Sequence, residues 1–447
     1  MEASPARTGR RAAIGRVVRV SSGNFLEMYD FIVFGYYAIY IARAYFPVGN
    51  QFVSLMLSLT TFGAGYLMRP LGALVLGAYI DRRGRRSGLL LTLLLMAAGT
   101  LSIAITPGYA TLGIAAPLIV LLGRLLQGFS AGVELGGVSV YLMEIATPGR
   151  HGFYCSWQSA SQQVAVIFTA AVGIVLTLRV SPAGMAAWGW RVPFVIGCMI
   201  IPLLVWLTRS LEETQAFQKV RHAQSFAETL AIVLHNWRRI FAGFLLTVLT
   251  TTTFYLITAY TPTFAQRALH LDITKSMDVI LCVGFSNLLW LPIGGMIADR
   301  IGCRPLLIAV PLLCVLTAYP AMLWLVSAPS AYRLAGVELW YSFLFGIYNG
   351  AMVPFLVDLM PEKIRTVGFS LSFSLATTLF GGFTPAIATF LIHETGNRAA
   401  PALWLSIAAL LSLVAALIAG RFAAPPQEIT LDVPRHGGLQ TADEPAS

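Results

Sequence analysis

The sequence predicts an all-α membrane protein with twelve spanning helices, six in each of two repeated halves. Hydrophobic residues make up 57% of the 447 residues, charged residues only 11%, and the mean hydropathy is +0.74. Soluble domains carry about a quarter charged residues, so this composition is typical of a polytopic membrane protein. The other two observations are the number of apolar stretches and a motif that occurs in both halves.

Twelve apolar stretches are each near the ~20 residues that a membrane-spanning helix needs. They lie at roughly 22–46, 53–79, 88–106, 112–143, 153–178, 190–209, 240–264, 276–298, 305–327, 333–359, 366–392 and 401–420. This spacing predicts a cytoplasmic basic arm (1–19), a first six-helix half (20–209), a central cytoplasmic loop (210–239), a second half (240–421) and a disordered cytoplasmic tail (422–447). Two capping-box pairs, Ser210/Glu213 and Ser225/Glu228, predict short helices within the central loop.

The basic residues predict which side of the membrane holds the two termini. An even number of spans puts both termini on one side, and that side carries about three times as many lysines and arginines as the other. We therefore expect a multi-pass protein of the cell inner (plasma) membrane with both termini in the cytoplasm. A cleavable signal peptide is not expected, because the first apolar run contains Asp30 and lacks a small-residue cleavage pattern.

A loop motif repeats at matching places in the two halves. After the second span stand Gly77, Asp81, Arg82, Gly84 and Arg86, which recur 218 residues later, after the eighth span, as Gly295, Asp299, Arg300, Gly302 and Arg304. Parallel repeats of this kind are typical of transporters whose binding site lies between the halves near the middle of the membrane.

The fourth span, Leu121 to Glu144, carries polar residues at membrane depth. Arg124, Gln127 and Glu134 share one face of a helix, and Gly128, Gly132 and Gly136 form a stripe of small residues beside it. Arg124 and Glu134 lie about 15 Å apart along the axis, so they cannot both lie near one end. An ionised side chain at the bilayer centre costs roughly 2.5–3.5 kcal/mol, which favours a transport pathway.

Several classes of function are excluded. A nucleotide-binding GxxxxGK[ST] motif is absent from the sequence, and the spans contain neither a nucleophile–base pair nor a metal-binding cluster, so we expect neither an enzyme nor a cofactor or metal. The five cysteines are scattered and predict no disulfide. The basic runs at 9–16 and 81–86 adjoin spans and set topology, so no nucleic-acid partner is expected.

Four sequence blocks resemble a known family. GAYIDRRGRR at 77–86 is similar to the loop signature of the major facilitator superfamily. The longer block RPLGALVLGAYIDRRGRR at 69–86, together with GRLLQGFSAGVELGG at 123–137, resembles the metabolite:proton symporter branch of that superfamily. Within that branch, 139–163 and 346–370 are similar to the citrate and tricarballylate proton symporters. The resemblance covers about Asn24 to Leu391 and implies two six-helix bundles that open alternately to either side. Cys303, where the first half has Arg85, departs from the loop pattern and weakens the gating role of the second copy.

The resemblance implies a proton-coupling site. Asp30 on the first span matches the membrane carboxylate of related proton-coupled facilitators, and Arg124 matches its arginine partner on the fourth span. Burial favours the protonated form of a carboxyl group, whereas a nearby guanidinium favours the ionised form. Glu27 and Glu134 are further candidates for proton coupling. The alternative is a static buried ion pair that holds two helices together.

A second group of residues is predicted to bind substrate. Arg69 stands about 15 Å from the end of its span, where a fork of donors suits a substrate carboxylate. A structural salt bridge to Glu27 or Glu134 is an equally weighted alternative. The full predicted set is Arg69, Arg124, Gln127, Gln158, Gln162, Tyr348 and Asn349. For each neutral member, an interhelical hydrogen bond is the simpler interpretation.

A third group is predicted to gate the cytoplasmic side, namely Asp81, Arg85, Glu144, Asp299 and Arg304. Asp81 could offer negative charge to the N-terminus of a facing helix, and Glu144 could pair with a basic residue of a loop. The alternative is that the arginines only determine topology.

The sequence as a whole predicts a secondary transporter that imports a tricarboxylate, citrate or tricarballylate, together with protons. The expected partners are a small organic anion, protons and the lipid bilayer, and the expected oligomeric state is a monomer. One alternative is the same fold with another cargo, such as a dicarboxylate, shikimate or a betaine. The other is a sensor of the same fold that transports nothing.

Overall fold

Twelve long helical stretches follow one another along the chain, as the sequence predicted. The computed structural model describes residues 25, 27–83, 85–132, 134–209 and 226–419. In the first half we number the stretches α1 (27–36 and Ala38–Tyr45), α2 (Gln51–Leu67 and Arg69–Arg83), α3 (Arg85–Ile105), α4 (Ala115–Ala131 and Glu134–Glu144), α5 (His151–Arg179) and α6 (Val192–Arg209). In the second half they are α7 (Trp237–Ile257 and Thr261–Arg267), α8 (Ile273–Ile301), α9 (Cys303–Ser327), α10 (Ala331–Leu359), α11 (Arg365–Ala376, Thr377–Gly381 and Thr384–Thr395) and α12 (Pro401–Ala419).

The segments predicted to flank the two halves are only partly described. The basic arm (1–19), the tail (422–447) and residues 210–225 of the central loop lie outside the described residues. Within the central loop, a helix spans Phe226–His235; it begins directly after Ser225 of the second predicted capping box and contains its Glu228. Shorter helices at Tyr109–Leu112 and Pro182–Ala187 connect longer ones.

Nine helices within the described residues are long and apolar enough to cross a membrane. The shorter apolar stretch Leu90–Ile105 lies in α3. Large apolar side chains point outward from several of them, with Leu178 69% and Leu316 63% exposed. Outward-facing apolar side chains of this kind are suited to contact with lipid. In lipid, every backbone polar group of a helix must form its hydrogen bond within that helix.

Several helices are interrupted near the middle of the molecule. α1 breaks at Tyr37 and α2 at Met68, and α11 passes through a π-helical segment at Thr377–Gly381. The seventh apolar stretch, predicted at roughly 240–264, forms a helix that ends at Ile257 and a short helix that begins at Thr261. Pro262, which lacks a backbone N–H, occupies the first turn after this gap, where a proline is well tolerated.

The predicted glycine stripe brings α4 into backbone contact with α2. A β-carbon added at Gly128 would lie 1.6 Å from the Gly65 carbonyl oxygen, and one added at Gly132 would lie 2.2 Å from the Arg69 carbonyl oxygen. Only glycine allows helices to approach this closely. The approach brings the helix that carries Arg124 against the helix that carries Arg69.

Contacts between the two halves bridge both ends of the molecule. At the end that carries the α1–α2 loop, which we call the α1–α2 end, Arg267 Nη1 donates to Gln51 Oε1 over 3.0 Å, and the rings of Phe52 and His393 stack 3.8 Å apart. At the opposite end, which carries the α2–α3 loop and which we call the α2–α3 end, Asp299 of α8 contacts the first turn of α5. A buried polar centre lies between these two ends.

Candidate functional site

Two buried arginines form the middle of the candidate site. Arg69 is 1% exposed and Arg124 is fully buried. Their guanidinium carbons lie 4.7 Å and 4.4 Å from the centre of the same Phe31 ring on α1. The face of an aromatic ring attracts cations, and the attraction strengthens when the partners are desolvated. Phe31 therefore helps to hold two positive groups side by side at membrane depth.

Glu27 of α1 is the partner of Arg69. Arg69 Nη2 donates a short hydrogen bond to Glu27 Oε1, and both side chains are almost fully buried. Glu27 Oε2 has no hydrogen-bond partner within the described residues. The structure thus contains the predicted alternative salt bridge to Glu27. This contact is compatible with a substrate role only if Arg69 can exchange partners.

Asp30 and Arg124 are connected through two neutral side chains rather than by direct contact. Arg124 Nη1 donates to Gln127 Oε1 over 2.8 Å, and Gln127 Nε2 donates to Thr100 Oγ1 over 3.0 Å. Thr100 Oγ1 in turn donates a short hydrogen bond to Asp30 Oδ2. Gln127 follows Arg124 by three residues, so one helix face supplies both groups. Asp30 and Arg124 do not form the predicted ion pair, and a four-residue chain across α1, α3 and α4, which we call the Asp30 relay, connects them instead.

The Thr100 hydroxyl has two acceptors within reach. Besides Asp30 Oδ2, the Met96 carbonyl oxygen lies 3.0 Å from Thr100 Oγ1. A hydroxyl has one proton to donate, so it can serve only one of them at a time. An ionised Asp30 attracts this donor more strongly than a protonated one, because hydrogen bonds to charged groups are the stronger kind. The proton on Asp30 can thereby alter how Gln127 and Arg124 are held.

Thr100→Val is expected to shift the pH profile of activity to higher pH by about one to two units. The substitution removes the donor that favours the ionised form of Asp30, and a hydrogen bond to a charged group contributes roughly 1.5–3 kcal/mol, about one to two pH units. The measurement is the pH dependence of substrate exchange in proteoliposomes. Thr169→Val is the matched control, because the hydroxyl of Thr169 bonds only to the Ala165 carbonyl of its own helix. An unchanged profile in the Thr100 variant would contradict the relay.

The other predicted substrate-binding residues are buried on α5 and α10. Gln158 and Gln162 are buried on α5, and Gln158 Oε1 accepts from Ser159 Oγ over 2.7 Å. Tyr348 donates its hydroxyl to the Leu246 carbonyl over 2.8 Å, inside the second half. Asn349 is buried, and its Oδ1 atom has no partner within the described residues. Of these four, Asn349 thus offers a buried free acceptor.

Two tyrosines complete the centre, and the sequence did not single them out. Tyr66 of α2 and Tyr255 of α7 meet edge to face with ring centres 5.3 Å apart. Both interact electrostatically with Arg69 and Arg124. Thr378, in the π-helical segment of α11, donates to the Tyr66 carbonyl over 2.7 Å. Tyr66, whose ring centre lies 4.8 Å from the Arg69 guanidinium carbon, therefore contacts the second half through α7 and α11, where a π-helical segment often marks a functional site.

The predicted gating residues gather at the α2–α3 end. Asp299 accepts hydrogen bonds from the backbone N–H groups of Gly152 (2.6 Å) and Phe153 (2.9 Å). Glu144 and Arg304 are exposed at the same end. The side chains of Asp81, Arg85 and Glu134 lie outside the described part of the structure. Asp299 thus binds the N-terminus of α5 across the two halves, a contact that the sequence had suggested only for Asp81 in the first copy of the motif.

Asp299→Asn is expected to increase opening of the α2–α3 end. The carboxylate interacts with the positive end of the α5 dipole, an effect of roughly 0.3–1 kcal/mol at a surface and up to ~2 kcal/mol when partly buried, or about two- to thirtyfold in population. The reporter is Ser370→Cys, placed after removal of the five native cysteines, because Ser370 of α11 is buried against Gly136 of α4. Faster thiol labelling is expected in the Asn variant. The exposed Glu362→Gln is the control, and equal labelling rates in both variants would remove the latch interpretation.

The described residues contain no group of three or more His, Cys, Asp or Glu side chains that could hold a metal ion. The candidate site is a cluster of buried charged groups.

The chain resembles several known proteins in sequence and in fold. A family model described as Major Facilitator Superfamily matches residues 20–378. The chain is 57% identical over 408 residues to a citrate-proton symporter of Salmonella typhi, covering 91% of this chain and 94% of the relative. It is 54% identical to a citrate-proton symporter of Klebsiella pneumoniae, covering 91% and 92%. Among solved structures, a D-xylose-proton symporter superposes with a TM-score of 0.74 at 16% identity, covering 92% of this chain and 98% of that one.

Proposed function

The chain belongs to the major facilitator superfamily, as its loop motifs predicted, and on this basis we propose that it is a secondary transporter that imports citrate or tricarballylate together with protons. The observation that carries the proposal is the 57% identity to a citrate-proton symporter over 91% of the chain. The buried pair of arginines supports it independently, because a carboxylate-rich anion needs such cations at membrane depth. The transporter moves its cargo without changing it chemically and is not an enzyme.

Arg69 and Arg124 are the proposed carboxylate-binding groups. A guanidinium presents donors in a planar fork that matches a carboxylate, and two of them can hold two carboxylates of one tricarboxylate. Each now binds a protein partner, Glu27 for Arg69 and Gln127 for Arg124. Substrate binding is therefore an exchange of partners. A proton on Glu27 weakens its hold on Arg69 and frees the guanidinium for the substrate.

Asp30 is the proposed coupling carboxylate, acting through the Asp30 relay. Symport requires a group whose proton affinity differs between the two access states. A displacement of α4 relative to α1 changes the distance from Arg124 to Asp30 and breaks or remakes the bonds through Thr100 and Gln127. The proton affinity of Asp30 then changes with the conformation, since a nearby guanidinium favours the ionised form. Glu27 and Glu134 are the remaining proton-coupling candidates.

Alternating access follows from the bridges at the two ends. We assign the α2–α3 end to the cytoplasm, because it carries most of the basic loop residues, and place the protein in the inner membrane with both termini cytoplasmic. Asp81, Arg85, Glu144, Asp299 and Arg304 would then latch the cytoplasmic end. The two moving units are residues 20–209 and 240–421, joined by the central loop and acting as a monomer.

The test is a calorimetric titration of the purified protein with citrate, tricarballylate, succinate, shikimate and glycine betaine. The two tricarboxylates are expected to bind most tightly and betaine not at all, because betaine lacks the charges that two arginines recognise. If shikimate or betaine binds and neither tricarboxylate does, the compound that binds replaces the tricarboxylate as the cargo. Binding of citrate without any transport in proteoliposomes would favour the sensor alternative.

A further inference from the structure

A second buried carboxyl group lies in the other half of the molecule, away from the Asp30 relay. Glu338 of α10 is only 5% exposed. Its Oε1 atom accepts a hydrogen bond from Thr261 Oγ1 over 2.7 Å, whereas its Oε2 atom is buried without a partner within the described residues. Among those residues, no lysine, arginine or histidine forms an ion pair with Glu338.

The surroundings of Glu338 are mostly apolar. It borders a cavity of about 10 Å³, close to the size that holds one water molecule. α9 contributes Met322 and Leu325 to this cavity and α12 contributes Pro401. The titratable groups that face Glu338 are three tyrosines, namely Tyr260 from α7, Tyr341 from α10 itself and Tyr36 from α1. None of them carries a positive charge that could compensate an ionised carboxylate.

Glu338 is hydrogen-bonded to Thr261, next to the gap in α7 at residues 258–260. Thr261 is the first residue of the helical turn that follows the gap, and Ala259 lies within the gap. A β-carbon added at Gly35 of α1 would lie 2.9 Å from the Ala259 β-carbon, so this gap packs directly on the first half. The neighbouring Tyr36 hydroxyl, which faces Glu338, is buried and has no hydrogen-bond partner within the described residues. The carboxyl group therefore lies next to a contact between the two halves.

We propose that Glu338 is a second proton-binding site, which keeps the α7 gap packed on α1 when it is protonated and releases this contact when it is ionised. An ionised carboxylate with one neutral donor is costly in an apolar, water-poor site. The cost is removed either by binding a proton or by opening the contact so that water reaches the group. Proton occupancy and closure of the α1–α2 end are therefore linked. On release, the carboxyl O–H bond breaks and the proton passes to water at the opened end.

This site goes beyond the proposed coupling through Asp30, because it lies in the second half and acts on a different contact. It rests on the proposed function in one respect only, namely that the α1–α2 end opens and closes during alternating access. A proton bound at Glu338 favours closure of the α1–α2 end above the bound cargo, whatever that cargo is. The experiment below therefore reads the opening of the α1–α2 end directly rather than transport.

The experiment measures spin-label distances across the α1–α2 end as a function of pH. Labels at Val48 and Tyr332, which are 47% and 89% exposed, report the separation of the first half from the start of α10. In the otherwise wild-type protein we expect short distances at low pH and a growing population of longer ones as the pH rises. Glu338→Gln is expected to retain the short distances throughout, because glutamine is uncharged at every pH. Glu394→Gln, a change at an exposed carboxyl group of the same end, should behave like wild type.

Thr261→Val supplies a second variant that keeps the carboxyl group. It removes the one donor that favours the ionised form, so the pH midpoint of opening is expected to rise by about one unit. Opening of the Glu338→Gln protein at the wild-type midpoint would overturn the proposal, as would a wild-type distance that does not depend on pH. If the glutamine variant does not fold, an unchanged midpoint in Thr261→Val overturns it. Calorimetry of citrate on the same samples separates this outcome from failure of the proposed cargo.

Discussion

Asp30→Asn is expected to exchange labelled citrate across a membrane at near wild-type rates and to lose the ability to accumulate it. Asparagine keeps the shape of the side chain and an acceptor for the Thr100 hydroxyl, so the Asp30 relay to Arg124 can still form. The side chain, however, stays neutral in both access states and cannot release a proton. Exchange needs no net proton movement, whereas concentration of citrate against its gradient does. The measurement compares exchange with accumulation driven by an imposed pH gradient in the same proteoliposomes.

The control for Asp30→Asn is Asp278→Asn, which changes an exposed aspartate of α8 and should retain both activities. Wild-type accumulation in the Asp30 variant would contradict the assignment and transfer the coupling role to Glu27 or Glu134. Loss of exchange as well as accumulation would mean that Asp30 serves the fold or the substrate rather than coupling.

Arg69→Ala is expected to weaken citrate binding by one to two decades. Loss of a charge-assisted hydrogen bond costs roughly 1.5–3 kcal/mol when the substrate carboxylate loses its donor. Arg69→Lys should restore little of the loss, because a point charge cannot reproduce the planar fork. The measurement is the Kd for citrate by calorimetry on purified protein. Arg333→Ala is the control, because Arg333 bonds to Trp324 and Ser327 on the protein surface.

The Glu27–Arg69 ion pair complicates the alanine variant, because a buried carboxylate left without its partner is strongly destabilising. The double variant Glu27→Gln with Arg69→Ala removes both charges and avoids that penalty. Weak citrate binding in a stable double variant assigns Arg69 to the substrate. A wild-type Kd in the double variant would make Arg69 a structural residue and would confirm the alternative that the sequence left open.

The fold was predictable because membrane helices depend on composition and length, which are directly visible in the sequence. The interruptions within the helices were harder to predict. The gap in α7 follows from local backbone geometry between Thr258 and Pro262, within a stretch that is apolar on both sides. Pro262 alone could not signal this gap, because Pro292, Pro311 and Pro354 lie inside helices that continue through them.

The charged part of the site was predictable because buried charges are rare in membrane helices, which made Asp30, Arg69 and Arg124 stand out. Thr100 did not stand out, because a threonine in a membrane helix usually bonds to its own backbone, as Thr169 does. Tyr66 and Tyr255 resembled ordinary aromatic core residues. Their role depends on the docking of α2 against α7, which a sequence pattern does not contain. For the same reason, spacing placed Arg124 opposite Asp30 but could not show that Thr100 and Gln127 lie between them.

The central claim is that a tricarboxylate and protons cross the membrane together. The most direct measurement records the external pH of proteoliposomes in a weakly buffered medium. Citrate is added outside at a concentration higher than the concentration inside. Our account predicts that the medium becomes more alkaline as citrate enters and that a protonophore abolishes this change. It also predicts that glycine betaine has no effect. Citrate entry without any proton movement would contradict the account.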